Sequence, residues 1–335
     1  MAIGFATKDR GGRRRNLLEL VVMAVTAALF VLFAIGIEGF ATPGNLGVVL
    51  SNSASLVILS CGMAVVIVSR GLELALIAEM VAGATTFSIL INAGVGGPEA
   101  LLLAVGAMAL VGCANAWLIA YVEIPAMLAT LASAMFVTGL VRYAVLGGEF
   151  LLLLPKSNPA VVLLSGDILP GVPAPVALMV AALVATGFLL RYSAAGRTIY
   201  AMGDNFQAAR LGGLPVRTTT IVVYVFAALM ALFAGLVTAA ASGTVDFRTV
   251  TNGSLLFEVI LVVVLGGIPL RGGRGGVRNI IVGVALIAVL RNGMTLMNVT
   301  TQMQDVIKGF VLIIAIVLDN YLNPRDTETD TAGDL

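Results

Sequence analysis

The sequence contains no histidine and few charged residues. Of its 335 residues, 11% are charged and 59% are hydrophobic, whereas soluble domains carry about 25% charged residues. The absence of histidine excludes imidazole acid–base chemistry and histidine ligation of metals. The two cysteines, Cys61 and Cys113, both lie in apolar runs and are predicted to be free core residues rather than a disulfide. Charge this sparse predicts a chain that resides in lipid.

Sequence motifs for catalysis are also missing. There is no GxxxxGK segment followed by Ser or Thr, so the chain has no phosphate-binding loop of its own. Neither a metal-binding pattern nor a nucleophile motif occurs. We therefore predict that this chain has no catalytic residue and binds no metal, cofactor or nucleic acid.

Long apolar runs make up most of the chain. A membrane-spanning helix needs roughly 20 apolar residues, and ten segments meet or approach this length. They are 17–37, 47–69, 72–92, 99–121, 125–146, 174–190, 219–241, 254–267, 279–297 and 303–321. The sequence thus predicts an all-α integral membrane protein with about ten transmembrane helices.

The positive charges predict the orientation of these spans. Most of the 19 Lys and Arg residues fall on one side if both termini are cytoplasmic, as the positive-inside rule requires. This predicts a basic cytoplasmic N-terminal arm (1–16), a multi-pass transmembrane domain (17–321) and a polar cytoplasmic tail (322–335). The longest cytoplasmic loop is 191–218.

Several polar residues fall inside the predicted spans. Ionisable groups in a membrane are costly unless they are paired or hydrated, so they are candidates for a transport path. The alternatives are an interfacial position for Glu73, snorkelling for Arg291 and Lys308, and structural ion pairs for Glu79 and Glu258. Uncharged polar groups either join helices or line a path for a hydroxyl-rich solute. The candidate path residues are Asn52, Glu73, Glu79, Thr130, Glu258 and Asn292.

Two loops allow two interpretations each. The external segment 147–173 is either a linker or a re-entrant or surface element that meets an external partner. The segment Gly266–Arg278, "GGIPLRGGRGGVR", looks like a phosphate loop but lacks the Lys-Ser/Thr pair. We interpret it as a flexible cytoplasmic hairpin whose arginines face lipid phosphates or a partner protein.

A brief polar helix is predicted in the cytoplasmic loop, within Tyr200–Val216, "YAMGDNFQAARLGGLPV". Asp204 or Asn205 can cap its start, and Gly212, Gly213 and Pro215 end it after about seven residues. A helix this short is marginal alone in water. We therefore expect it to dock on something else.

Three stretches of the sequence resemble one family. They are "GRTIYAMGDNFQAARLGGLPVRTTTIVVYVFAALMALFAGLVTAA", "FEVILVVVLGGIPLRGGRGGVRNIIVGVALIAVLRNGMTLM" and "IPAMLATLASAMFVTGL". They are similar to the membrane permeases of bacterial ATP-binding-cassette importers for simple sugars, the ribose-permease type. The resemblance covers most of the chain after about residue 40. Branched-chain amino-acid permeases share the architecture but differ in the loop of the first stretch, which favours a sugar.

The resemblance implies a type II importer permease fold in the bacterial inner membrane, with a second permease copy or a related permease beside it. It further implies a cytoplasmic ATPase that binds ATP and Mg²⁺, a periplasmic solute-binding protein, and a short helix that couples the permease to the ATPase. Glu258 stands where the family commonly has Asp, and Asn292 matches its Asn-Gly pair. The implied coupling residues are Gly203, Asp204, Asn205, Ala208, Ala209, Arg210, Leu211 and Gly213.

One region departs from the family. Ser69–Glu79 reads "SRGLELALIAE" where the family often has "GGIDLSVGS". If this segment lines the path, the solute need not be ribose and could be another pentose, a hexose or a polyol. A nucleoside, an autoinducer or a branched-chain amino acid is the alternative to a simple sugar. An ion-coupled secondary transporter with Glu79 or Glu258 as its proton site is a second hypothesis. A membrane-embedded enzyme or scaffold is a third, although no nucleophile or metal motif supports it.

Overall fold

The chain folds into a bundle of α-helices, seen in a computed structural model that describes residues 6–155, 158–169 and 171–322. The helices before the external segment are α1 (Ala6–Gly36), α2 (Pro43–Val68), α3 (Leu76–Asn92), α4 (Gly97–Ala120) and α5 (Ala126–Leu140), which continues as a π turn (Val141–Val145). Those after it are α7 (Ala174–Tyr192), α8 (Ala194–Asp204), α9 (Phe206–Leu211), α10 (Val216–Ser242), α11 (Arg248–Asn252), α12 (Ser254–Leu265), α13 (Val277–Leu296) and α14 (Thr301–Leu322).

All ten predicted spans coincide with helices, and the all-α membrane fold is confirmed. Among the described residues, seven helices are long and apolar enough to cross a membrane: Glu19–Gly36, Pro43–Val68, Gly97–Ala120, Ala126–Ala144, Ala174–Tyr192, Val216–Ser242 and Val277–Leu296. The apolar helices α3 and α12 are shorter, with 17 and 12 residues. Since 12 residues rise only about 18 Å, the count of ten spans stays a prediction.

The helix α10 lies at the centre of the bundle and packs against α2, α3 and α4. Two glycines permit this close packing. A Cβ on Gly112 of α4 would lie 2.8 Å from the Val225 Cα, and one on Gly235 of α10 would overlap the Met80 carbonyl oxygen of α3. Small residues at such crossings let helix backbones approach closely in membranes.

The external segment 147–173 has structure of its own. It contains β1 (Leu151–Leu153), α6 (Pro159–Ser165), β2 (Asp167–Leu169) and β3 (Val172–Pro173). The strand β1 pairs antiparallel with β4 (Thr244–Asp246), which follows α10. The segment is therefore a folded surface element rather than an extended linker, while its meeting with an external partner stays a prediction.

The predicted terminal regions are only partly described. The helix α1 already begins at Ala6, so most of the predicted N-terminal arm belongs to the same helix as the first span. Residues 1–5 of that arm and residues 323–335 of the predicted tail lie outside the described residues. The division into arm, transmembrane domain and tail stays a prediction.

Candidate functional site

The loop 191–218, predicted to be cytoplasmic, contains two helices where one was predicted. The predicted short helix is present as α9, and its N-cap is Asn205, whose Oδ1 accepts a hydrogen bond of 2.9 Å from the Ala208 amide. Asp204, the other candidate, ends α8. Ser193 caps the start of α8 by accepting a hydrogen bond from the Gly196 amide. Gly213, with φ +74°, lies in the left-handed region that ends a helix.

The two faces of α9 have different environments. Ala209 is 5% exposed and packs with Met202 and Val216, and Phe206 packs against the same cluster. On the other face Leu211 is 88% exposed, and Ala208 is also exposed. One apolar side of α9 therefore holds it to this chain. Leu211 on its opposite side is an unpartnered apolar residue in a polar loop.

Gly203 joins the end of α8 to the rest of the bundle. It is buried, and a Cβ there would overlap the Val68 carbonyl oxygen at the end of α2 and the Gly273 nitrogen. The Gly273 amide itself donates a hydrogen bond of 2.8 Å to the Val68 carbonyl. Three backbone segments thus meet without an intervening side chain, as only glycine permits.

The glycine-rich segment Gly266–Arg278 is not the flexible hairpin that we predicted. Its Ile268 is fully buried, and the Tyr200 hydroxyl of α8 donates a hydrogen bond of 2.7 Å to the Gly275 carbonyl. At the start of α13, Arg278 pairs with Glu19 of α1 at 3.3 Å. The segment is therefore attached at both ends and in its middle.

Glu123, in the turn between α4 and α5, was not predicted as a site residue. Its carboxylate lies 3.5 Å from the Arg210 guanidinium of α9 and 3.9 Å from that of Arg217 at the start of α10. The Arg217 guanidinium also lies 5.1 Å from the centre of the Tyr121 ring. Glu123 has φ +61°, a conformation that is uncommon for residues other than glycine. Its signal in the sequence was a single acid between two spans, on the arginine-rich side.

Three of the predicted path residues lie together inside the bundle. Glu79 Oε1 accepts a hydrogen bond of 3.1 Å from the Asn115 amide, and Glu73 Oε1 accepts one of 3.0 Å from the Ala75 backbone. The Thr130 hydroxyl accepts a bond of 3.1 Å from the Leu74 amide. Glu73, Glu79 and Thr130 are completely buried, so none of the three is in contact with solvent.

This group, with Asn115 and Tyr224, is called the carboxyl cluster below. The Tyr224 hydroxyl packs against Gly71, because a Cβ on Gly71 would lie 2.6 Å from it. Four buried polar atoms of the cluster have no hydrogen-bond partner within the described residues: Glu73 Oε2, Glu79 Oε2, Asn115 Oδ1 and Tyr224 OH. Such groups are costly when they remain unpaired, and they are the type of group that could bind a hydroxylated solute.

The other predicted path residues lie elsewhere. Glu258 is 5% exposed and pairs with Lys308 at 3.0 Å and with Arg291 at 3.7 Å, which joins α12, α13 and α14. Lys308 and Arg291 therefore turn toward Glu258, whereas snorkelling to headgroups was one interpretation of the sequence. Asn292 is half-buried near this ion pair along α13, and Asn52 is exposed on α2. Whether any of the six residues lines a path stays a prediction.

Comparisons with known proteins agree with this architecture. The profile of the family described as "branched-chain amino acid transport system / permease component" matches residues 45–316. The chain is 32% identical to the L-arabinose transport system permease protein AraH of Escherichia coli K12, over 90% of both chains.

Two further relatives cover similar lengths. The autoinducer 2 import system permease protein LsrC of an Enterobacter species is 31% identical over 92% of this chain and 88% of its own. The ribose import permease protein RbsC of E. coli K12 is 28% identical over 90% of this chain and 91% of its own. No solved structure matches the chain significantly.

Proposed function

We propose that this chain, which belongs to the family of permease components of branched-chain amino acid type transport systems, forms the path of an ATP-driven importer for a simple sugar. Its relatives include permeases for L-arabinose and ribose, which supports a pentose-like solute. Another small solute is the alternative, because the relatives also include an autoinducer 2 permease. The chain is a multi-pass permease subunit of the inner membrane and not an enzyme.

The proposed machine needs further subunits. A separate cytoplasmic ATPase would bind ATP and Mg²⁺, and a periplasmic protein would deliver the solute. A second copy of this chain, or a related permease, would complete the path. Both termini are assigned to the cytoplasm on the basis of the positive-inside rule.

The observation that carries the proposal is the two-faced helix α9. Its inner face, with Ala209, fixes it to this chain, and its outer face presents Leu211 at 88% exposure. An apolar residue held outward on a short, capped helix suits insertion into a groove of a partner. The ATPase can then shift the permease between two conformations, because docking contacts that differ between two states shift their populations.

Replacing Leu211 by glutamate tests this docking. We expect ATPase association to fall at least about tenfold, since a buried apolar contact would become a buried charge, while the permease still inserts and melts normally. The measurement is copurification of the ATPase together with ATP-dependent uptake in proteoliposomes. Leu163→Glu, at a similarly exposed leucine of α6 (62%), is the matched control for association.

The choice of variant matters for this test. Ala209→Glu would place a carboxylate against Met202 and Val216 inside this chain, and would therefore lower the stability of the permease itself.

Normal ATPase association by the Leu211 variant would rule out α9 as the docking helix. Uptake driven by a proton gradient, without any ATPase, would favour a secondary transporter instead.

Glu123 is expected to contribute to coupling rather than to folding. Its two arginine contacts are about half exposed, so Glu123→Gln should leave the melting temperature almost unchanged. Uptake per ATP hydrolysed should fall about threefold, in line with the modest free energy of exposed ion pairs. Glu99→Gln, at an exposed glutamate in the first turn of α4, serves as the control. An unchanged ratio of uptake to hydrolysis would show that the turn does not act in coupling.

A further inference from the structure

We propose that the glycine-rich segment Gly266–Gly276 is a second docking surface for the ATPase, and that Arg274 presents its positive charge to an acidic region of that partner. The inference rests on the proposed function, since it concerns the same partner. The segment would contact the ATPase at a site that is separate from α9 but lies beside it. The contacts, the shape and the charge of the segment each support it.

The contacts place the segment directly beside α8 in the loop 191–218. Gly273 lies against Gly203, and a Cβ on Gly273 would be 3.0 Å from the Asp204 nitrogen. Tyr200 of α8 holds the Gly275 carbonyl at 2.7 Å. Because α9 begins at Phe206, only two residues after Asp204, a partner that covers α9 also comes close to Arg274.

The segment has a defined shape. Gly272 and Gly273 have φ of +84° and +76°, in the left-handed region that side chains disfavour. Ile268 is fully buried beneath the segment, and a Cβ on Gly275 would come within 2.7 Å of its side chain. A loop attached in this way presents its side chains from a fixed position, which reduces the ordering cost of binding.

All charged residues of the segment are positive. Residues 266–278 contain three arginines and no acidic residue. Arg278 pairs with Glu19, whereas Arg274 is exposed and forms no ion pair within the described residues. Arginine is enriched at protein interfaces, where its planar group binds carboxylates. An acidic partner surface is therefore the chemical complement of this segment.

A lipid headgroup is the competing ligand for an arginine on this side. The protein partner is favoured because the segment contacts the end of α8, which leads directly into α9, and Leu211 on the exposed face of α9 would not be covered by an anionic headgroup. At the partner surface, Arg274 would act mainly through electrostatic attraction. Attraction of this kind changes the association rate and its dependence on salt.

Reversal of the charge, Arg274→Glu, tests the proposal. We expect ATPase association with the detergent-solubilised permease to weaken about tenfold at low salt and to lose most of its salt dependence. Arg191→Glu is the matched control, since Arg191 is exposed at the end of α7 and α8 separates it from α9 by about 16 Å. This control should weaken association less than twofold.

The other outcomes separate this proposal from the proposed function. If Leu211→Glu abolishes association and Arg274→Glu does not change it, the second docking surface is wrong and the coupling helix stands. If neither variant affects association, both α9 and the segment are ruled out as docking surfaces, whereas an unmutated permease that does not bind the ATPase at all would overturn the proposed function. If Arg274→Glu instead lowers the retention of phosphatidylglycerol on the purified permease and leaves ATPase association intact, the segment binds lipid and the proposal is overturned.

Discussion

Replacing Gly203 by alanine is expected to abolish transport, although the change adds a single methyl group. The new Cβ would overlap the Val68 carbonyl and the Gly273 nitrogen, and both are backbone atoms that no rotamer change can move. Either the Gly273–Val68 hydrogen bond of 2.8 Å or the contact between α8 and α2 has to open. We expect a loss of about 3 kcal/mol in stability, at the upper end for overpacked sites.

Thermal unfolding in detergent and ATP-dependent uptake measure the two effects of this variant. Gly106→Ala is the control, because Gly106 is a helical glycine of α4 and no atom lies within 4 Å of the position that its Cβ would take. It should be neutral or slightly stabilising, since alanine favours helices over glycine by about 1 kcal/mol. Wild-type melting and uptake by Gly203→Ala would mean that the three segments are not packed as described.

Removal of Lys308 is expected to have the second large effect. Lys308→Met leaves Glu258, at 5% exposure, with only the half-exposed Arg291 at 3.7 Å. Removing one partner of a buried ion pair costs about 3 kcal/mol or more, and the longer contact with the half-exposed Arg291 compensates only part of it. The melting temperature of the purified permease should therefore fall clearly. Asp305, which also pairs with Lys308 at 2.8 Å, is half exposed and can be hydrated.

The double variant Glu258→Gln with Lys308→Met separates structure from transport. Removing both charges should restore most of the stability, because no buried charge remains unpaired. If Glu258 also contacts the solute, uptake by this stable variant should remain low. Full recovery of both stability and uptake would assign the ion pair a structural role alone. A double variant as unstable as Lys308→Met would contradict the pairing itself.

The helices could be predicted because their signals are local. Apolar runs identified all ten segments, and the capping residues around Phe206–Leu211 identified α9. The helix α8 was missed because its 11 residues contain polar groups such as Arg197 and Tyr200, which make it look like loop. Its buried Ile199 and Met202 were the periodic signal that could have revealed it.

The contacts between distant segments could not be predicted. Glu258 and Lys308 are 50 residues apart, and nothing in a single sequence sets the distance between two helices. Ala209 was assigned to the partner because a six-residue helix does not reveal which side packs on its own chain. Glu123 likewise becomes a candidate site residue through its contacts with Arg210 and Arg217, which come from another part of the chain.

The contact at Val68 connects the loop 191–218 to the carboxyl cluster through a short piece of chain. Val68, which accepts the Gly273 amide, is joined to Glu73 of the carboxyl cluster by five peptide units, a span of about 17 Å even when extended. Arg70, with φ +70°, makes this connection a tight bend. If the ATPase moves the loop 191–218, as proposed above, the displacement can reach the buried carboxyl groups through these five peptide units, without passing along the length of a transmembrane helix.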